Sequence, residues 1–502
     1  MDHDDGGAPS TRRTIGLFAG PILLIVFLAL PGPAGMSPGA WRTAAVGILM
    51  ATWWVTEAIP IPATALVPLA LFPVLGVAGI RDTAAPYANP IIFLFLGGFM
   101  IALAMQRWGL HRRIALTVVQ ALGTRPNRLV LGFMVATAFL SMWVSNTATA
   151  VMMLPIGLSV IGLVAPDADL EPDTPGLPDR TNFGTALMLG IAYAASLGGL
   201  GTLIGTPPNA LLAGFLETSY GYEIGFARWM LVGLPLAMVA LPVAWWVLTR
   251  VAFPVRIGEI PGGRAMIRDR LRELGPLSRG ERRVAVVFGT TAAAWVVRPL
   301  LDDWVPGLSD AGIAMLAALS LFLIPVDRGR GQFTLHWDDT AELPWGVLIL
   351  FGGGLSLAAA VTATGLAEWI GTALSGLETW PTVLLVVTVT AVIVFLTELT
   401  SNTATAAAFL PILGPLAVAL GENPLLLAVP AALGASCAFM MPVATPPNAI
   451  IYGSGYVTIP QMARAGLVLN LILIALITLA AYAILITAFG VELGVVPPWV
   501  VR

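Results

Sequence analysis

The chain has 502 residues and a formal net charge of −3, with 57 % hydrophobic residues and only 11 % charged, against roughly 25 % charged in an ordinary soluble domain. This balance, with a mean hydropathy of +0.88, excludes a soluble enzyme, a disordered chain and a nucleic-acid binder. The single cysteine, Cys437, excludes a disulfide framework and any cysteine-built metal site.

Apolar runs of about 20 residues are helices rather than barrel strands, and only helices or closed barrels satisfy their backbone in lipid. The expected fold class is therefore an all-α polytopic membrane protein. The first apolar run, 14–31, has no secretory cleavage site after it and reads as a retained helix. Spans at 41–58, 62–79 and 90–106 follow. The stretch 127–165 is too long for one crossing and polar at its centre, which fits a re-entrant hairpin. Residues 165–182 are acidic and proline-rich and read as an exposed loop. Span 183–216 is long enough to break in its middle, and 229–250 comes after it. The alternating Arg and Glu of 264–283 read as a solvated cytoplasmic connector between two halves. The second half offers spans at 284–300, 309–325 and 344–363. A second hairpin-like stretch lies at 380–420, a second breakable span at 424–453 and a last span at 463–490. The total is about 11 transmembrane helices plus two re-entrant hairpins, since a hairpin leaves on the side it entered.

All 25 basic residues are arginine. With the N-terminus inside, all but Arg42, Arg81, Arg228, Arg298 and Arg502 fall on the cytoplasmic side. The positive-inside rule then sets the N-terminus in the cytoplasm and the C-terminus outside. The expected location is a bacterial inner (plasma) membrane.

The chain repeats itself. Ser145-Asn146-Thr147-Ala148-Thr149-Ala150 recurs as Ser401-Asn402-Thr403-Ala404-Thr405-Ala406, at an offset of 256 residues. The same offset pairs Gly97-Gly98 with Gly353-Gly354, Gly109-Leu110 with Gly365-Leu366, and Ser141 with Thr397. Thr206-Pro207-Pro208-Asn209-Ala210 returns as Thr445-Pro446-Pro447-Asn448-Ala449 at an offset of 239, and the acidic loop accounts for the difference of 17. Span 41–58 runs outside to inside and span 284–300 inside to outside, so the two repeats are inverted. Inverted repeats with broken helices mark secondary transporters.

The motifs have a physical use at the centre of a membrane. Ser, Asn and Thr favour helix N-caps because their side-chain oxygens accept from free N–H groups. The same oxygens suit a small hard cation such as Na⁺, and the N–H groups that open the next helix suit an anion. Thr-Pro-Pro-Asn works similarly, since proline tolerates the first helical turn. Each long span is thus expected to break just before its Pro-Pro pair. Four half-helix N-termini of roughly +0.5 charge each sum to about +2, enough to offset a dianion. No arginine lies near any of the four motifs. Matched copies of both motifs outweigh the ordinary packing role of small residues in membranes.

The paired Ser-Asn-Thr and Thr-Pro-Pro-Asn segments resemble the divalent anion:sodium symporters, carriers of di- and tricarboxylates or sulfate. So does Trp53-Trp54-Val55-Thr56-Glu57-Ala58-Ile59-Pro60-Ile61-Pro62. The resemblance spans about residues 14–490. It implies a homodimer working by an elevator mechanism, with residues 1–126 and 251–379 as linker and scaffold. A transport domain would comprise 127–250 and 380–502. It implies two Na⁺ sites, the first at Ser141, Ser145, Asn146 and Gly205, the second at Thr397, Thr400, Asn402 and Ala444. Between them, Ser145, Asn146, Thr147, Ser401, Asn402 and Thr403 would hold the substrate, with Thr206, Pro207, Thr445 and Pro446 opposite. The expected activity is Na⁺-coupled import of succinate, malate or fumarate, with no catalytic residue. Citrate, sulfate or Na⁺-independent exchange are the rival expectations. Glu57 and Glu398, acids in or near apolar spans, read as structural partners of neighbouring donors, with ion coupling as the rival.

Overall fold

The computed structural model describes residues 11–123, 125–164, 177–258, 263–301, 304–373, 376 and 379–500. It is almost wholly helical. A two-stranded ribbon, Pro325–Asp327 with Gln332–Phe333, is the one sheet among the described residues. Eight helices among the described residues are long and apolar enough to cross a membrane. Shorter apolar helices, including Pro126–Ser141, Thr382–Thr397 and Leu425–Ala435, stand beside them.

Both hairpin-like stretches turn where their polar centres require it. Pro126–Ser141 and Asn146–Val164 flank the first turn; Thr382–Thr397 and Asn402–Ala419 flank the second. Both long spans break before their proline pairs. Leu177–Gly199 is followed by Pro207–Tyr220, and Leu425–Ala435 by Pro446–Gly453. Residues 183–206 and 423–439 are buried throughout. Unwound backbone at membrane depth survives only where protein or a water-filled cavity surrounds it, so the broken helices form the centre of the core.

The second half of each broken helix packs in the opposite repeat. Pro207–Tyr220 lies on Asn402–Ala419 and on Trp345–Ala363, whereas Pro446–Gly453 lies on Asn146–Val164 and Leu177–Gly199. The helices that follow, Phe226–Trp246 and Ile459–Ala480, start at equivalent points and each passes into a π-helical turn, Val247–Ala252 and Ala481–Leu485. The repeated glycines also have a physical reason. A Cβ on Gly97 would lie 2.7 Å from the backbone of Ala314, and one on Gly353 would lie 2.3 Å from Ala65 O. Gly109 and Gly365 take φ of 73° and 78°, a left-handed turn that opens the short helices Leu110–Leu122 and Leu366–Ala373.

Several expectations change. Span 62–79 is not one helix. It divides into Ile61–Thr64 and Val67–Val74, because Pro60, Pro62 and Pro68 interrupt the hydrogen-bond ladder, and Gly76 takes a left-handed φ of 65° just beyond. Of the acidic loop, residues 165–176 lie outside the described residues, and the chain is already helical from Leu177. The polar connector contains a helix, Gly263–Glu273, whose Ile267 is buried and which packs on Leu110–Leu122. Arg113 fixes its far end. The guanidinium donates to both carboxylate oxygens of Glu281, at 2.7 and 3.2 Å, and to Gly275 O at 3.0 Å.

Candidate functional site

The two hairpin turns carry one hydrogen-bond arrangement twice. In the first, the Ser141 hydroxyl donates to Ala195 O at 2.7 Å and touches Asn146 Oδ1. In the second, the Thr397 hydroxyl lies 2.9 Å from Ala435 O and 2.7 Å from Asn402 Oδ1. Each hairpin is thereby tied to the first half of a broken helix at its last turns. Ser141 and Thr397 are fully buried, which the loss of hydration tolerates only because both hydroxyls are bonded.

Capping is shared unequally. Ser145 accepts from Ala148 N at 3.3 Å and Thr445 from Asn448 N at 3.3 Å, as expected. Ser401 and Thr206 make no such cap bond; Thr206 instead meets Ser436 across the repeats at 3.3 Å. The asparagines of Thr-Pro-Pro-Asn clamp the unwound segments. Asn209 Nδ2 donates to Gly199 O (3.1 Å) and Thr202 O (2.8 Å); Asn448 Nδ2 donates to Ala438 O and Met441 O, both at 3.1 Å. Sequence reasoning placed neither in the site. Their presence in a motif found twice was the available signal.

The backbone is tightest at the first site. A Cβ on Gly205 would lie 2.4 Å from Gly199 O, and one on Gly199 would lie 3.0 Å from Asn146 Oδ1. Asn146, Gly199 and Gly205 therefore pack with no room for a side chain. The equivalent of Gly205 is Ala444, so the second copy is more open.

A cavity of about 850 Å³ lies between the two arrangements. All ten residues expected to contact substrate line it: Ser145, Asn146 and Thr147, Ser401, Asn402 and Thr403, Thr206 and Pro207, Thr445 and Pro446. Gly205 and Ala444 line it as well. Ser141, Thr397 and Thr400 stand one layer behind, buried. The Thr400 hydroxyl is spent on Leu396 O at 3.0 Å and Thr405 Oγ1 at 2.6 Å, which leaves its carbonyl as the oxygen it can offer. Phe95, Phe99 and Val347 add apolar lining. Glu57 and Glu342 stand at the cavity, and among the described residues no arginine or histidine lines it. Glu57 is also the one non-glycine residue with positive φ (50°) among the described residues, a conformation held against its intrinsic cost.

Two pseudosymmetric sets of unwound backbone and small hydroxyls that converge on one cavity define a secondary transporter of the membrane rather than an enzyme. Solved structures share this fold. The Alcanivorax borkumensis YdaH transporter matches with a TM-score of 0.55 and 16 % identity, covering 80 % of this chain and 88 % of the other. The Neisseria gonorrhoeae efflux pump MtrF matches with a TM-score of 0.57 and 13 % identity, covering 95 % and 96 %. Sequence relatives are nearer. The sodium-dependent dicarboxylate transporter SdcS of Staphylococcus saprophyticus is 44 % identical over 486 residues, 96 % of this chain and 93 % of the relative. SdcS of Staphylococcus aureus is 44 % identical over 489 residues, 97 % and 94 %. Residues 11–489 match the family described as the sodium:sulfate symporter transmembrane region. The chain belongs to that family, the divalent anion:sodium symporters of the motif comparison.

Proposed function

We propose that this chain is a Na⁺-coupled symporter that imports C4-dicarboxylates such as succinate, malate and fumarate. The observation that carries the reading is the duplicated hydroxyl–asparagine–carbonyl arrangement on either side of one cavity that lacks cationic side chains. Ser141 Oγ, Asn146 Oδ1 and Ala195 O gather within hydrogen-bond distance around a single hydroxyl hydrogen, as do Thr397 Oγ1, Asn402 Oδ1 and Ala435 O. Such oxygen-rich points favour a small hard cation. The first Na⁺ then takes Ser141, Ser145, Asn146 and Gly205, and the second Thr397, Thr400, Asn402 and Ala444. A dianion between them is held by Ser145, Asn146, Thr147 and Ser401, Asn402, Thr403, facing Thr206, Pro207, Thr445 and Pro446. Helix N-termini and the two cations supply the positive charge that arginine does not. The printed names of the 44 % identical relatives support Na⁺ and a dicarboxylate as cargo.

In this reading the unit that moves comprises 127–250 and 380–502, carried like an elevator against a scaffold of 1–126 and 251–379 in a homodimer. The N-terminus is cytoplasmic and the C-terminus outside, with eleven crossings and two re-entrant hairpins. The test is uptake of labelled succinate into proteoliposomes, with an inward Na⁺ gradient or K⁺ in its place, and with excess malate, citrate or sulfate. Uptake that requires Na⁺ and is blocked by malate is the expected result. Uptake that ignores Na⁺ but requires internal dicarboxylate makes the chain an exchanger. Carriage of citrate or sulfate in place of succinate overturns the substrate.

A further inference from the structure

At one matched pair of positions the two repeats differ in charge. The offset of 256 places Met142 opposite Glu398. The start points of the helices Phe226–Trp246 and Ile459–Ala480 place Ala237 opposite Asn470. An apolar pair in the first repeat is therefore a charged and polar pair in the second.

Glu398 is 3 % exposed and follows Thr397 directly. Its Oε1 accepts from Phe439 N (2.6 Å), Met440 N (2.9 Å) and Asn470 Nδ2 (2.7 Å). Its Oε2 accepts from Met440 N (3.0 Å) and Met441 N (3.1 Å). Every one of these partners is a donor. A protonated acid would have to donate in turn, and a carboxylate accepts only, so this surrounding selects the anion. Three successive amides form the anion-binding concavity that an unwound segment offers. In the first repeat the matching amides are used differently. Leu200 N and Gly201 N bond back to Leu197 O and Gly198 O, and no charge is needed.

We propose that Glu398 is the permanent counter-charge of the second cation site, and so a positioning residue that makes this site bind Na⁺ more tightly than the first. The proposal rests on the reading of Thr397, Thr400, Asn402 and Ala444 as a Na⁺ site. Glu398 acts in two ways. It holds the unwound segment 439–441 on the hairpin tip, so that the oxygens around Thr397 stay in register. Its charge also lies in a low-dielectric interior, where attraction for a cation nearby is poorly screened. The first site has the same hydroxyl, asparagine and carbonyl but no charge behind them. The second site therefore fills at a lower Na⁺ concentration than the first.

The test is a Na⁺ titration of the purified full chain in detergent, at constant ionic strength with choline, read as melting temperature. The wild-type protein is expected to be stabilised by Na⁺. Glu398→Gln is expected to raise the half-saturating Na⁺ concentration by at least about tenfold, while Met142→Leu leaves it unchanged. The double variant Glu398→Met with Asn470→Ala installs the residues found at the matching positions of the first repeat, Met142 and Ala237, and serves if the glutamine variant does not fold. It is expected to show the same loss. An unchanged Na⁺ midpoint in either folded variant overturns the proposal. A wild-type protein that Na⁺ does not stabilise overturns instead the Na⁺ reading on which it rests.

Discussion

The first and second hairpin tips share a backbone and differ in what holds it. At the first tip, Trp143 stacks on Phe226 and Trp295, with centroids at 5.9 and 6.5 Å, and meets Phe288 edge-on at 5.0 Å. At the second, the equivalent Leu399 is 56 % exposed, and its carbonyl accepts from Arg12 at 2.8 Å. Behind the first tip the Thr149 hydroxyl is buried with no partner among the described residues, whereas its counterpart Thr405 meets Thr400 at 2.6 Å. The first tip is thus held by aromatic packing, the second by polar groups and a carboxylate. The hydroxyl, asparagine and carbonyl are kept in both. The difference teaches that one hydroxyl–asparagine–carbonyl arrangement can be held in place by two different chemistries of support.

The comparison can be broken hardest at the shared atoms. Asn146→Ala and Asn402→Ala are each expected to lower Na⁺-driven uptake by about 10- to 100-fold, the worth of a bond to a charged group. Both are expected to change its Na⁺ dependence, since the proposed function gives each amide an ion and the anion to contact. Equal Na⁺ dependence in wild type and both mutants would sink that coupling. Next comes room for a Cβ. Gly205→Ala must push Gly199 O aside and is expected to reduce uptake by about tenfold or more, at roughly 1–3 kcal/mol of overpacking. Ala444→Gly, at the more open copy, is expected to stay within about threefold, or roughly 0.6 kcal/mol.

Smaller effects sharpen the difference in support. Trp143→Ala is expected to cost about 3 kcal/mol of stability, as large aromatic truncations do, and Leu399→Ala less than about 0.5 kcal/mol. Thermal melts of the two variants would rank them, and equal melting points would remove the distinction between the tips. Smallest is the buried threonine pair. Thr149→Val removes a hydroxyl without a partner and is expected to be neutral or mildly stabilising. Thr405→Val removes one of the two partners of the Thr400 hydroxyl, which keeps Leu396 O, and is expected to cost about 0.5–1 kcal/mol. The same melts, or guanidinium-free thermal inactivation of uptake, read this sign change.

Much of the site was legible because it is written twice. Identity at a fixed offset marked Ser-Asn-Thr and Thr-Pro-Pro-Asn, and the chemistry of proline at a helix start located both breaks to within a few residues. Both Ser-Asn-Thr copies and the Thr-Pro that opens each Thr-Pro-Pro-Asn line one cavity. What escaped was decided by partners far along the chain. The role of Asn209 and Asn448 depends on the carbonyls of unwound segments, which have no signature of their own. That Glu398 faces three amides depends on where residues 439–441 fold, although its pairing with a neighbouring donor was expected and Asn470 supplies one. Helix Leu110–Leu122 carries His111, Arg112 and Arg113 in its first turn and is only 13 residues long, and so does not read as a span. The fragmentation of 62–79 is local chemistry, four prolines in 14 residues from Pro60 to Pro73, that average hydropathy conceals.

The exchange of half-helices between repeats has a consequence for how the chain is made. Pro207–Tyr220 finds its packing surface on Asn402–Ala419, nearly 200 residues later in synthesis. At about 5–20 residues per second, a nascent chain carries that half-helix without its mate for roughly 10–40 s. Through that interval the surface that will meet Asn402–Ala419 has no partner from that helix. Neither half of the chain closes the cavity alone, so its lining is complete only once Thr445 and Pro446, beyond the second hairpin, have been made.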